Sequence, residues 1–126
     1  MAELLDALSA AAARVVRTGA DDLVRLPLDR VFTIQGTGTV VTGTLWSGRL
    51  EASARVRLLP QGLDARIRGI EVHGQATGRA EAGDRVAVAL SGEGGDRERI
   101  VRGSTVVMDG SWEATHMLTS RVDLLA

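Results

Sequence analysis

Two periods of apolar residues divide the chain. Over residues 3–17, Leu4, Leu5, Leu8, Ala11, Ala12, Val15 and Val16 recur at spacings of three and four, which predicts a helix with one apolar face. Gly19 offers a C-terminal stop, and Arg14 and Arg17 stand near the negative end of its dipole. A helix this short is marginal in water, so it requires a surface. Two readings stand side by side: it covers one side of the following domain, or it is the last helix of an upstream one.

From Asp29 onward the period shortens. Val31, Thr33, Val40, Thr42, Thr44, Val56, Leu58, Ile67, Val72, Val86, Val88, Val101 and Val106 form short β-branched or apolar runs. Glycines punctuate them at Gly36, Gly38, Gly48, Gly62, Gly74, Gly83, Gly92 and Gly103. Strands are predicted near 29–35, 39–46, 55–59, 64–72, 84–90 and 101–108, in an all-β antiparallel barrel of roughly six to seven strands with an N-terminal helix. The acidic, glycine-rich stretch Gly92 to Glu98 reads as a flexible loop. Trp112 to Thr119 reads as a connection, and Ser120 to Leu125 as a further strand, of a following domain. The division expected is 1–20 helix, 21–112 barrel and 113–126 connection.

Composition narrows the functional classes. With 15 basic against 16 acidic residues the chain lacks the strongly basic face of a general nucleic-acid binder, although a local basic pocket remains compatible. All the basic residues are Arg. With no Cys, disulfides, thiolate metal sites and cysteine nucleophiles are excluded. No long apolar run or export signal is evident, which predicts a soluble protein of the cytoplasm without a membrane partner.

Candidate chemistry is sparse. Gly36-Thr37-Gly38 lies between two β-rich runs and reads as a hairpin turn; without Lys the chain has no phosphate-binding GxxxxGK motif. His73 and His116 are too far apart in sequence to suggest zinc. No nucleophile elbow is present, so no catalytic residue is assigned. His73, at a strand end before Gly74, can reach the barrel rim. Asp29-Arg30 opens the first strand ahead of Phe32, and Arg85 opens another after Gly83-Asp84; an Arg at such a place can bind an anion or simply face solvent. Spacing does not say whether Arg30 and Arg85 meet.

The run RLPLDRVFTIQGTGTVVTGTLWSG (Arg25 to Gly48) resembles the opening of the second domain of elongation factor Tu-like GTPases. GIEVH (Gly69 to His73), AGDRVAV (Ala82 to Val88) and Arg102-Gly103 are similar to its later strands. Within that family the wording is most similar to the selenocysteine-specific elongation factors. The resemblance implies a translation-factor domain-2 barrel in which Asp29, Arg30, Phe32, His73 and Arg85 line a pocket for the 3′ adenosine and esterified amino acid of selenocysteinyl-tRNA. Asp29 would orient Arg30 or touch the ribose, and Phe32 would pack on the adenine or fill the core. Arg30 and Arg85 stand where elongation factor Tu has an acidic residue and Asn. Selenocysteine is an anion at neutral pH, so two Arg with His73 would favour it over serine. The resemblance further implies neighbouring domains and the ribosome as partners, with GTP and Mg held by a separate domain. Two alternatives stay open: a domain 2 that binds ordinary aminoacyl-tRNA or the ribosome, and a barrel that only docks its neighbours.

Overall fold

The computed structural model describes residues 1–15, 23–108, 110 and 112–123. Helix α1 spans Ala2–Ala13. Among the described residues nine strands follow: β1 (Leu26–Ile34), β2 (Gly38–Thr44), β3 (Arg49–Glu51), β4 (Arg55–Leu59), β5 (Leu63–Val72), β6 (Gln75–Thr77), β7 (Arg79–Glu81), β8 (Arg85–Gly92) and β9 (Thr105–Val107). Six of them close into an antiparallel barrel in the order β4-β9-β1-β2-β8-β5 and back to β4; β6 extends from β5, and β3 pairs with β7. The all-β barrel with an N-terminal helix is therefore the observed fold.

The core is built by inward residues of these strands. Leu26, Leu45, Leu50, Leu58, Ile67 and Ile70 are fully buried, each such side chain contributing about 1.5–3 kcal/mol relative to exposure. No residue of α1 is buried, and Leu4, Leu5 and Leu8 are exposed. The reading in which this helix covers the barrel is thus not met: strand side chains fill the core without it. The helix also ends short of residue 17, and Arg17 and Gly19 lie outside the described residues.

Other differences have local causes. The strand expected over 101–108 shrinks to β9 because Val101 to Ser104 forms a turn, with the Ser104 amide donating to the Val101 carbonyl at 3.0 Å. Gly92 to Glu98 is ordered into two 3-10 turns rather than a flexible loop. Gly94 is buried there, and a Cβ on it would stand 2.5 Å from Leu58 Cδ1 and 2.6 Å from Ala65 Cβ. The turn closes against the barrel because that position has no side chain. Trp112 to Thr119 has no regular structure, as expected; neither has Ser120 to Asp123, where a strand was expected. Leu124 and Leu125 lie outside the described residues. Across the barrel surface the Arg25 guanidinium lies 4.8 Å from the Trp46 ring and 5.6 Å from the Trp112 ring, tying the segment after β9 to the first strand's approach.

Two bulges set what the outer face displays. In β1, Leu28 pairs with Gly43 and Arg30 with Thr42, so Asp29 is an extra residue. In β5, Ile67 pairs with Leu90 and Gly69 with Ala89, so Arg68 is extra. Side chains alternate with period two along a strand, and one extra residue exchanges the faces. Leu26 and Leu28 point inward before the first bulge; Arg30, Phe32 and Ile34 point outward after it. Beyond the second, Ile70 is buried while Glu71 is exposed.

Candidate functional site

Asp29, displaced by its bulge, meets Arg85 at the start of β8. Arg85 Nη1 donates to Asp29 Oδ2, and the Thr42 hydroxyl donates to Asp29 Oδ1 at 2.8 Å. Asp29 therefore orients Arg85, not Arg30 as one reading of the sequence had it. Arg30 is exposed on the same stretch, in register with Thr42, and its charge also acts on Asp29. The hydrogen bond from Arg85 leads in holding the Asp29 carboxyl below the ordinary carboxylate range, and Thr42 adds to it against the opposing effect of burial. The same bond raises the Arg85 guanidinium.

His73 and Gly74 form the two-residue turn between β5 and β6, with Val72 paired to Gln75. Both are left-handed, at φ of 53° and 75°, the conformation a two-residue hairpin requires. For His this is uncommon and mildly strained. His73 lines a cavity of 240 Å³ together with Thr42, Glu71, Gly74, Arg85, Val86 and Ala87.

A second cavity, of 190 Å³, adjoins it on the outer face. Its floor is apolar: Phe32, Ile34, Val40, Gly69, Ile70, Ala76, Ala87 and Ala89, with Thr37 and Glu71 at its edge. Phe32 is 36% exposed and lines this groove, so of its two readings the one that placed it in the core is not met. Period two continued from Leu26 and Leu28 would have turned it inward; the Asp29 bulge turns it out. Glu71 and Ala87 line both cavities, which makes them one groove with an apolar end and a charged end.

Of the five residues singled out in the sequence, His73 and Arg85 line the charged end and Phe32 the apolar end. Asp29 acts through Arg85 and Thr42, and Arg30 stands at the margin, in neither lining. Sequence reasoning missed Thr42 and Glu71. Among the described residues no group of three His, Cys, Asp or Glu is placed to hold a metal. Gly36 and Gly38 are in the β1–β2 hairpin turn, where the Thr37 amide donates to the Ile34 carbonyl at 3.1 Å; they form no phosphate cradle.

The linkage of Asp29 to pH has a definite sign. Its folded-state value is depressed, so its small stabilising effect is present above the unfolded value of about 3.9 and is lost as pH falls through the folded value. In an NMR titration of side-chain carboxyls, Asp29 should titrate below the ordinary aspartate value, and Arg85→Ala should move it upward. A wild-type midpoint at the ordinary value would show that the pair does not form.

A closed six-stranded antiparallel barrel with an extra strand is the form of a translation-factor second domain. The chain belongs to the elongation factor Tu domain 2 family, whose model matches residues 38–107. It is 52% identical over 71 residues to the selenocysteine-specific elongation factor of Desulfomicrobium baculatum, covering 56% of this chain and 11% of that one. Over 101 residues it is 36% identical to elongation factor Tu 2 of Streptomyces avermitilis, covering 80% and 25% respectively. The solved structure of translation elongation factor SelB from Methanococcus maripaludis, apo form, superposes with a TM-score of 0.78 at 30% identity, covering 85% of this chain and 23% of that one. The chain therefore spans a quarter or less of the length of these relatives. No helix among the described residues is long and apolar enough to cross a membrane.

Proposed function

We propose that this barrel binds the aminoacylated 3′ end of selenocysteinyl-tRNA as domain 2 of a selenocysteine-specific translation factor of the cytoplasm. The observation that carries the reading is the continuity of the groove through Glu71. An aminoacyl-adenosine presents, in order, a flat base, a ribose and an ester-linked amino acid. The groove presents, in order, an apolar shelf with Phe32 and Val40, a carboxylate acceptor at Glu71, and a charged end with Arg85 and His73. The base stacks on the shelf, Glu71 accepts from a ribose hydroxyl, and the amino acid reaches Arg85.

At that end the guanidinium, with one terminal nitrogen on Asp29, keeps other N–H donors for a selenolate. Arg30 adds positive charge from the margin. In this reading residues 1–20 are the tail of a GTP-binding domain, 21–112 the tRNA-binding barrel and 113–126 the lead into a third domain. GTP hydrolysis and Mg belong to that first domain, since the residues here include no phosphate loop. The neighbouring domains and the ribosome are the remaining partners.

The test is an NMR titration with a short acceptor-stem RNA bearing selenocysteine or serine through a stable amide. Shifts at Phe32, Glu71, His73 and Arg85 should appear with both, and tighter binding with selenocysteine. Equal affinities would leave a general aminoacyl-tRNA barrel. Absence of shifts in the groove at millimolar RNA would refute the reading.

A further inference from the structure

The proposed groove leaves one charged cluster unused. Where β4 pairs with β5, Arg55 stands directly opposite Arg66, and Arg66 stands opposite Ser91 on β8. Both arginines are exposed. Like charges directly opposite on a ladder are destabilising. The next rung shows the ordinary solution, with Arg57 Nε donating to Asp64 Oδ1 at 3.0 Å. Arg66 donates from Nε to the Ser53 carbonyl at 3.1 Å, which fixes its side chain and leaves its terminal nitrogens. The Arg55 side chain has neither a hydrogen bond nor an ion pair among the described residues.

Between the two arginines lies a concavity of 480 Å³, lined also by Asp64, Ser91 and Gly92 over the buried Val56 and Ala65. A shared oxyanion there would turn the repulsion into attraction. Guanidinium forks match phosphate geometry, each able to give two parallel N–H bonds.

We propose that Arg55 and Arg66 clamp a backbone phosphate of an RNA helix at a second site, independent of the groove. Ser91 is six residues from Arg85 along β8, which separates the two sites by roughly 20 Å. One rigid RNA phosphate path could engage the clamp without entering the groove. An acidic protein is the weaker fit, because the only apolar side chains lining this concavity are the small, buried Val56 and Ala65, which offer no large apolar anchor for a protein hot spot. Phosphate contacts need none. With a net charge of −1 the chain has no general basic field, so binding rests on this local pair and is weak and salt-dependent.

The test uses fluorescence anisotropy with a blunt 20-base-pair RNA duplex that lacks any single-stranded or aminoacylated end, so its outcome is separate from that of the groove. Arg55→Ala with Arg66→Ala should lower affinity about tenfold or more and reduce the salt slope by about 2. Arg55→Glu should abolish binding while raising the melting temperature, because it gives Arg66 an opposite charge. Arg121→Ala, an exposed arginine elsewhere, serves as the charge control and should leave affinity within about twofold. Unchanged binding in the double variant, equal loss in the Arg121 control, or displacement of the RNA by polyglutamate at lower concentration than by unlabelled duplex would each overturn the proposal.

Discussion

Gly43→Ala should lower the urea midpoint of unfolding sharply while leaving most of the population folded in water. Gly43 is buried in β2 opposite Leu28, at the bulge. A Cβ on it would lie 2.1 Å from the Pro27 carbonyl oxygen, 3.2 Å from that carbonyl carbon and 3.0 Å from Leu26 Cδ1. The first two are backbone atoms. The Pro27 carbonyl cannot easily turn away, because the Leu28 amide in the same peptide plane donates to the Ser104 carbonyl at 2.8 Å, and Leu26 and Pro27 are paired with Val106 and Thr105 of β9. The clash must therefore be relieved by separating β1 from β2 where Asp29 is set. A cost of roughly 3–5 kcal/mol is expected, against a typical domain stability of about 5–15 kcal/mol. Urea unfolding followed by circular dichroism measures it. Gly69→Ala is the matched control: a Cβ there meets nothing within 4 Å, so its cost should stay near 1 kcal/mol or below. Should Gly43→Ala unfold with the same midpoint as Gly69→Ala, the tight approach at the bulge would be wrong.

The same bulge explains what the sequence could and could not disclose. Long alternating runs such as Val86 to Leu90 were legible as strands because one face is buried at every second residue. β3, β6 and β7 escaped because three residues are too few to display a period. The Asp29 and Arg68 bulges escaped because an extra residue has no composition of its own; it shows only as a slip against a partner strand. Phe32 was consequently left between core and ligand, and its place in the groove follows from that slip. The pairing of Asp29 with Arg85 spans 56 residues and could not be read from spacing. Resemblance brought both residues to one pocket but left Asp29 between Arg30 and the ribose, and the structure pairs it with Arg85 instead of Arg30. Glu71 was overlooked because a charged residue on an exposed strand face is ordinarily just solvated, and only the joining of two cavities at it distinguishes it.

Arg85→Ala should cost more in selenocysteine recognition than one lost hydrogen bond. A charge-assisted contact to a selenolate is worth roughly ten- to hundred-fold in affinity. Removing Arg85 also strips Asp29 of its partner, and the freed carboxylate then sits where the anion must approach. Two changes of the same sign follow: attraction is lost and repulsion appears. Asp29→Asn in the same chain removes the repulsion, so the double variant should recover part of the affinity lost by Arg85→Ala. By itself, Asp29→Asn should strengthen the selenolate complex, because Arg85 then keeps its full charge for the ligand while the asparagine carbonyl can still accept from it. Serine, being neutral, should respond little to any of these changes. Affinities of the wild type and the three variants for the selenocysteinyl and seryl acceptor stems complete a double-mutant cycle. If Arg85→Ala and Asp29→Asn were additive, or if both ligands lost affinity equally, the Asp29–Arg85 pair would not be what distinguishes selenocysteine from serine.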